Sequence, residues 1–251
     1  MAVGLLHPGE MGSAVGENLL EAGHHVLWAS AGRSAETRAR AELAGLEDVG
    51  SVEELARRSE VILSVCPPHA ALDVAKSVEG FEGIYVDANA VSPATAREIG
   101  GRFVDGGIIG PPPLEPGTTR LYLAGEEADA VGALFQRTLL EPIVISDEPG
   151  AASALKMAYA AWTKGTAAML IAIRALARAE GVEEALLEEW RLSQPKLIDR
   201  SAAAARSADR KGWRWVAEME EIASTFAAAG LPDGFHKAAA EVFRLVEARV
   251  P

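Results

Sequence analysis

The first apolar run of the chain leads into the stretch Val3-Gly4-Leu5-Leu6-His7-Pro8-Gly9-Glu10-Met11-Gly12. A β-prone run, a turn with two glycines and a helical pattern are typical of the first strand, phosphate loop and first helix of a dinucleotide-binding unit. Gly9 would let backbone amides approach a diphosphate, and Gly12 would let helix and strand pack closely. The usual first glycine is missing, because His7 occupies its place and Pro8 stiffens the turn. A purely structural turn is the alternative. The helix directly after it and the second strand near His25 favour a phosphate loop.

Outward from this loop, short apolar runs alternate with helical patterns. We predict strands at residues 3–6, 25–28, 61–65, 84–86, 103–104, 120–123 and 143–145. We predict helices at residues 13–22, 35–44, 52–58, 70–77, 93–99 and 128–138. Near-continuous apolar strands separated by helices indicate a mostly parallel sheet that is covered on both faces. The pattern therefore predicts a doubly wound α/β domain of the Rossmann type over residues 1–149.

After Pro149-Gly150 the character of the sequence changes. Ala, Leu, Glu and Arg recur at helical spacing, and strand patterns end. We expect one long helix to about residue 180, a break at Gly181, and two or three further helices with a turn at 230–234. Residues 150–251 are therefore predicted to form an all-α domain.

Composition and charge exclude several classes of function. The net charge of −12 disfavours nucleic acid, because a basic excess is needed to release phosphate counterions. The most apolar helical stretch is interrupted by Lys164 and Arg174 and is too short to cross a bilayer. The single Cys66 fits a reducing compartment, and the five histidines lack metal-binding spacing. We expect a soluble, cytoplasmic protein with no metal, no membrane partner and a small-molecule substrate.

The end of the second predicted strand bears on the choice of dinucleotide. NAD-binding proteins commonly place an Asp or Glu there to hold the ribose hydroxyls. This chain has Ser30, Arg33 and Ser34, which could bind a 2′-phosphate, and Arg38 one turn later, which we interpret as a surface charge. The sequence favours NADP, and NAD stays possible.

Several further motifs occur in a recognisable order. The chain resembles the β-hydroxyacid dehydrogenase superfamily, which includes hydroxyisobutyrate dehydrogenase, the imine reductases and phosphogluconate dehydrogenase. The motifs that carry this resemblance are Pro8-Gly9-Glu10-Met11-Gly12, Asn18-Leu19-Leu20, Gly23-His24-His25-Val26, Val65-Cys66-Pro67-Pro68, Val86-Asp87-Ala88-Asn89-Ala90-Val91-Ser92-Pro93, Phe103-Val104-Asp105-Gly106 and Gly150-Ala151-Ala152-Ser153-Ala154-Leu155-Lys156.

The resemblance implies roles for individual residues. Lys156 corresponds to the catalytic lysine of the family, and dimerisation through the helical domain is implied as well. The cofactor contacts that we predict are Pro8, Gly9, Glu10, Met11, Gly12, Ser30, Arg33, Ser34, Cys66, Pro67 and Asn89.

The chain also departs from the family pattern. Ile109-Gly110-Pro111-Pro112-Pro113 replaces the Ser-Gly-Gly substrate loop, Tyr159-Ala160 replaces the asparagine that follows the lysine, and Met219-Glu220 lies where a later Lys-Asp pair is expected. Ordinary hydroxy-acid substrates are therefore open to question.

Lys156 suits proton transfer because burial disfavours an ammonium ion and lowers its pKa toward neutrality. Tyr159 lies three residues later, on the same helix face, and could relay the proton. Asn89 is a further catalytic candidate, with a turn-forming role as the alternative. Lys164 is expected to be solvated. The sequence thus predicts an NAD(P)-dependent oxidoreductase acting on a small hydroxy acid, keto acid or imine. The alternative is a non-catalytic dinucleotide-binding sensor or assembly protein.

Overall fold

A computed structural model describes residues 1–247 of the chain. The last four residues of the predicted helical domain, 248–251, lie outside the described residues. The chain divides into two compact units, Met1–Lys156 and Met157–Pro251. This division falls inside a helix, so the predicted domain boundary after residue 149 stays a prediction.

The first unit contains an eight-stranded sheet with strand order β3-β2-β1-β4-β5-β6-β7-β8 within the described part of the chain. The first six strands are parallel, β7 pairs antiparallel with β6, and β8 pairs parallel with β7. The mostly parallel Rossmann sheet is confirmed. The strands are β1 (Ala2–Leu6), β2 (His25–Trp28), β3 (Glu47–Asp48), β4 (Val61–Ser64), β5 (Ile84–Asp87), β6 (Phe103–Ile109), β7 (Thr119–Ala124) and β8 (Leu140–Ser146).

Helices cover both faces of this sheet. Side chains alternate between the faces of each strand, so Val61 and Leu63 join one buried cluster while Ile62 joins the other. Three of the helices begin at serines whose hydroxyls accept a backbone N–H: Ser34, Ser51 and Ser92. The helices are α1 (Glu10–Glu21), α2 (Ala35–Leu43), α3 (Val52–Arg58), α4 (Ala71–Lys76), α5 (Pro93–Glu98) and α6 (Ala128–Leu134), with a 3₁₀ turn at Pro68–Ala70.

The buried Asn18 on α1 connects distant parts of the first unit. Its amide nitrogen donates to the carbonyl oxygens of Ala14 and Pro113 at 2.9 and 3.0 Å, and its amide oxygen accepts from the backbone N–H of Leu139 at 2.7 Å. Three polar groups of the buried side chain are thereby satisfied. Asn18 therefore connects α1 to the segment at residues 109–113, called the proline-rich loop below, and to the start of β8.

Several bounds differ from the sequence prediction: β8 begins at Leu140 instead of 143, α6 ends at Leu134 instead of 138, and three further differences have a clear cause. β3 was not predicted, because its two residues are exposed carboxylates without an apolar pattern. β6 runs to Ile109 instead of ending at 104, since Asp105, Gly106 and Gly107 interrupt the β-prone pattern but continue the strand. α1 begins three residues before the predicted start at 13, so Glu10 to Gly12 form its first turn.

The second unit consists of helices joined by short turns over residues 157–247. Its helices are the continuation of α7 (Ala151–Ala179), with α8 (Glu183–Ser193), α9 (Lys196–Ala228) and α10 (Gly234–Glu247). Gly181 and Gly230 have φ angles of +71° and +72° and mark the predicted break and turn. Trp215 and Phe243 pack edge to face, with ring centroids 5.1 Å apart. None of the described helices is both long and apolar enough to cross a membrane.

The expectation of a solvated Lys164 is wrong. Its side chain is only 16 % exposed, and its ammonium group forms an ion pair with the carboxylate of Glu218 on α9. A paired carboxylate makes this degree of burial possible for a lysine.

Candidate active site

The candidate site of the first unit lies at the carboxyl ends of the parallel strands. Since β1 to β6 run in the same direction, the loops that follow them meet at one edge of the sheet, where ligands bind in open α/β folds. The loops that carry predicted residues follow β1, β2, β4 and β5. Lys156 reaches the same edge beside the end of β6.

The loop after β1 has the geometry of an anion-binding turn. Gly9 is the N-cap of α1, where no side chain caps the helix, and a Cβ atom at Gly9 would meet no heavy atom within 4 Å. A Cβ atom at Gly12 would lie 2.6 Å from the carbonyl oxygen of His7, so only glycine fits there. An open, uncapped helix N-terminus suits an anionic ligand, because its amides and dipole point outward. Binding by Pro8 to Gly12 stays a prediction.

His7 takes the place of the usual first glycine by adopting its conformation. Its φ angle is +68°, in the left-handed region that glycine enters readily. Its Nδ1 atom is buried without a hydrogen-bond partner in the described part of the chain. Burial and the nearby positive charge of Arg33 lower the pKa of His7 to about 4, so the ring is neutral at pH 7. The sequence singled out His7 as a departure but assigned it no role.

A carboxylate on the neighbouring strand lies beside the end of β2, and the sequence analysis did not reveal it. Asp48, on the unpredicted β3, accepts hydrogen bonds from the backbone N–H groups of Ser30 at 3.2 Å and Gly50 at 2.8 Å. Ser34 caps α2 by accepting from the N–H of Thr37 at 3.2 Å. Two predicted phosphate contacts therefore also have local structural roles, and an acid that the sequence analysis did not place there lies beside them.

Arg33 lies where a phosphate contact is expected. It is half-buried, burial lowers its pKa, and its charge acts on both His7 and Cys66. No ion pair of its guanidinium occurs within residues 1–247. This cation therefore lies among the loops after β1, β2 and β4, which suits a bound anion.

Asn89 connects the loops after β4 and β5. Its amide nitrogen donates to the Ser64 hydroxyl at 3.1 Å and to the Asp87 carboxylate at 2.7 Å, and its amide oxygen accepts from the N–H of Cys66. Both amide hydrogens are engaged, so this geometry favours an orienting role over donation to a substrate. Burial raises the pKa of Asp87 to about 7 and that of the Cys66 thiol to about 12. Cys66 is therefore a neutral thiol rather than a nucleophile.

Lys156 lies in the second turn of α7, and its amine donates a hydrogen bond to the carbonyl oxygen of Ile108 near the end of β6. Burial lowers the pKa of Lys156 to about 8, so both protonation states are populated near neutral pH. Such an amine can give and take a proton, which is the requirement for general acid–base catalysis. Tyr159 is 49 % exposed and belongs to the second unit, so its proposed relay to Lys156 stays a prediction.

Sequence reasoning missed the groups that hold Lys156. Asp105 and Ser153 bind each other beside it, and the carbonyl of Ile108 accepts from its amine. An acid inside a strand pattern, followed by two glycines, was the available signal. Among residues 1–247, no group of three or more His, Cys, Asp or Glu side chains is placed to hold a metal ion.

We predict that Lys156→Met stabilises the protein at neutral pH. The folded pKa of about 8 lies below the ordinary value of about 10.4, so the unfolded chain binds the additional proton between these values. Wild-type stability therefore rises with pH across this window, and the variant should gain up to about 3 kcal/mol at pH 7, less as the pH increases. Urea unfolding at pH 7 to 10 measures this, with the exposed Lys196→Met as control. A pH-independent difference would contradict the burial of a titrating amine.

Matches to protein families cover most of the chain in two segments. Residues 2–90 match the family described as NADP oxidoreductase, coenzyme F420-dependent. Residues 177–246 match a domain of unknown function, DUF1932. Neither segment alone spans half of the chain.

Two curated proteins are similar to part of the chain. An uncharacterised 28.5 kDa protein of Methanothermus fervidus is 34% identical over 164 residues, which are 62% of this chain and 63% of that protein. The mitochondrial 3-hydroxyisobutyrate dehydrogenase of Drosophila melanogaster is 26% identical over 149 residues, which are 53% of this chain and 45% of that protein. The matched region thus spans less than two thirds of either relative.

Solved structures match over nearly the full length. A conserved protein of unknown function, reported as structurally similar to 3-hydroxyacid dehydrogenases, has a TM-score of 0.72 at 28% identity and covers 99% of this chain and 97% of its own. A reductive aminase of Aspergillus terreus, solved with NADPH and ethyl levulinate, shares the fold with a TM-score of 0.61 at 18% identity over 99% of this chain and 93% of its own. The chain is therefore similar over nearly its full length to a protein that itself resembles 3-hydroxyacid dehydrogenases, and the resemblance predicted from its motifs is confirmed.

Proposed function

We propose that the chain is an NADP-dependent oxidoreductase that transfers a hydride between the nicotinamide and a small hydroxy acid, keto acid or imine, with NAD as a possible second coenzyme. The observation that carries this proposal is the amine of Lys156, which has a pKa near neutrality and lies beside the end of β6. The related proteins include a dehydrogenase and an NADPH-binding reductive aminase, which supports the same class of reaction.

The loops fit a dinucleotide. The space in front of Gly9 is open, the first turn of α1 has no side-chain cap, and Arg33 supplies a positive charge nearby. In the proposed complex the amides of residues 9–12 bind the diphosphate, and Arg33 binds the 2′-phosphate. Cys66, Pro67 and Asn89 border the nicotinamide end from the loops after β4 and β5.

When bound, the nicotinamide coenzyme supplies the hydride in reduction and accepts it in oxidation. Lys156 acts on the proton. In its ammonium form it donates from Nζ to the carbonyl oxygen or imine nitrogen of the substrate as that atom gains charge. In its neutral form it removes the proton from a hydroxyl or amine. A pKa of about 8 makes either direction accessible near neutral pH.

The proline-rich loop bears on the substrate. It carries no hydroxyl in the segment 109–113, and it is held by Asn18 through the Pro113 carbonyl and by Thr119 through the Pro111 carbonyl, at 3.0 and 2.6 Å. The serine that would bind a carboxylate in the family loop is absent. Both members of a hydroxy-acid and keto-acid pair carry this carboxylate, so the change favours an imine, or an acid whose carboxylate is held by other groups.

We predict that NADPH binds more tightly than NADH and that Arg33→Ala removes the difference. Loss of a charge-assisted contact to the 2′-phosphate should weaken NADPH binding by about 10- to 100-fold and leave NADH binding nearly unchanged. Fluorescence titration with both coenzymes measures this. Arg40→Ala is the control, because Arg40 pairs with Glu36 on the surface of α2. Equal loss for both coenzymes would contradict the assignment of Arg33.

Lys156→Ala should keep its affinity for NADPH and lose turnover by about 100-fold or more, in line with the usual contribution of a general acid. The assay follows NADPH oxidation with a panel of small keto acids and cyclic imines. Unchanged turnover would remove Lys156 from the mechanism. Tight NADPH binding without turnover by the wild-type protein would favour the non-catalytic sensor instead.

The second unit supports a homodimer as the assembly. Large apolar side chains on α7, each at least 36 % exposed, follow one another at intervals of three, four or seven residues, which is the spacing of a helix seam. This α7 stripe comprises Tyr159, Trp162, Met169, Ile173 and Leu176. We propose that a second copy of the chain packs against this stripe. The proposed compartment is the reducing cytoplasm.

Trp162→Glu should convert the dimer to a monomer, because it places a charge within the α7 stripe. Sedimentation velocity at micromolar concentration measures the mass. Leu192→Glu on α8 is the control, since Leu192 is 76 % exposed and lies outside the stripe. A wild-type monomer, or a dimer that survives Trp162→Glu, would contradict this interface.

A further inference from the structure

Asp105 is a fully buried acid in the middle of β6. Its exposed fraction is 0 %, and in the sheet it lies directly opposite Asp87 of β5, which is also buried. Burying a carboxylate is costly unless hydrogen bonds replace its water. The partners of Asp105 therefore indicate what its position in the strand achieves.

These partners all belong to the start of α7. One carboxylate oxygen accepts from the N–H of Ser153 at 2.9 Å, and the other accepts from the Ser153 hydroxyl at 2.6 Å. The backbone N–H groups of Gly150 and Ala152 also donate to it. The first amides of a helix have no partner within the helix, and a negative charge is favourable there. Asp105 thus caps α7 from a different element.

Two glycines bring the helix close to the strand. A Cβ atom at Gly107 would lie 2.9 Å from the carbonyl oxygen of Ala152 and 3.3 Å from the Cβ atom of Lys156. Gly150 has a φ angle of +97°, and the preceding carbonyl of Pro149 accepts from Arg97 at 3.1 Å. The first turns of α7 are therefore held against β6 by hydrogen bonds and by shape.

Lys156 makes the next hydrogen bond between α7 and β6. Asp105 binds Ser153, and three residues further on each element the carbonyl of Ile108 accepts from the Lys156 amine. A shift or rotation of the first turn would move the amine away from Ile108. Asp105 itself is inaccessible and fully occupied by α7, so direct contact with a substrate is not its role.

We propose that Asp105 is a positioning residue for Lys156: its carboxylate fixes the first turn of α7 on β6 and thereby sets the place of the lysine amine. The proposal rests on the proposed function for the role of Lys156 in catalysis. Ser153 is the residue on α7 that binds Asp105, and Gly107 allows α7 to approach β6 closely.

The test measures the amine directly, without a substrate. The chain has six lysines, so isotope-labelled lysine gives few signals, and Lys156→Arg assigns the one of interest. In the wild-type protein this signal should titrate at about 8. Asp105→Asn keeps the shape but loses an acceptor, and Gly107→Ala displaces the same turn with the carboxylate intact. Both should raise the midpoint toward about 10.4, and Ser153→Ala should do so less.

Turnover gives the second readout. Asp105→Asn and Gly107→Ala should lower kcat by about 10-fold or more while NADPH affinity stays within about twofold, because the phosphate loop is untouched. Ser51→Ala is the matched control: it removes a helix N-cap bond from α3, far from Lys156 in sequence, and should lower the melting temperature without changing the titration.

The possible outcomes separate the two proposals. If the Lys156 midpoint and kcat are unchanged in Asp105→Asn and Gly107→Ala, the positioning role is overturned. Should Asp105→Asn fail to fold, Gly107→Ala and Ser153→Ala decide by the same criterion. If wild-type Lys156 titrates normally and Lys156→Ala stays active, the proposed function fails, whatever Asp105 does.

Discussion

Parallel strand pairing is the constraint on which the first unit depends. Six strands, β1 to β6, run in one direction, so the loops that follow these six strands open at the same edge of the sheet. His7, Arg33, Asn89 and Lys156 are separated by up to 149 residues along the chain, yet each belongs to such a loop or reaches the end of a strand. The chemistry proposed for this protein therefore follows from strand direction and order more than from any single motif.

Electrostatics at this edge work against the overall charge of the protein. The chain carries a net charge of −12, which repels a phosphorylated coenzyme at long range. The open N-terminus of α1 and the Arg33 guanidinium are the local features that oppose this field. Asp87 and Asp105 lie just below the edge, where burial raises the pKa of both carboxyl groups and hydrogen bonds from the protein oppose that rise. Positive features thus lie in the loops at this edge, and these two buried acids are satisfied by hydrogen bonds from the protein.

The sequence predicted the parts of the fold that have strong local patterns. β2 and α3 have the predicted bounds. A short apolar run marks β2, and the N-cap Ser51 marks the start of α3. β3 escaped prediction, since two exposed acids pair with β2 only in the folded sheet. The same omission hid Asp48 from the argument on coenzyme choice. Long-range pairing, rather than propensity, decides such short edge strands.

The candidate site shows a similar division. The positions of Gly9 and Gly12 were predictable from the local chemistry of a turn. The position of Lys156 was predictable from the order of motifs along the chain. The engagement of Asn89 by Ser64 and Cys66, and the ion pair of Lys164 with Glu218, depend on elements far apart in sequence. A single sequence offers no periodicity that reports such contacts.

Asn18 makes the helix behind the phosphate loop and the proline-rich loop mechanically dependent on each other. One amide group supports both, since it donates to the Pro113 carbonyl from a helix whose first turn contains Gly12. Remodelling residues 110–113 to change which molecules are accepted would therefore disturb the proposed coenzyme-binding loop unless that carbonyl keeps its place. Selectivity and coenzyme binding in this protein are expected to evolve together rather than independently.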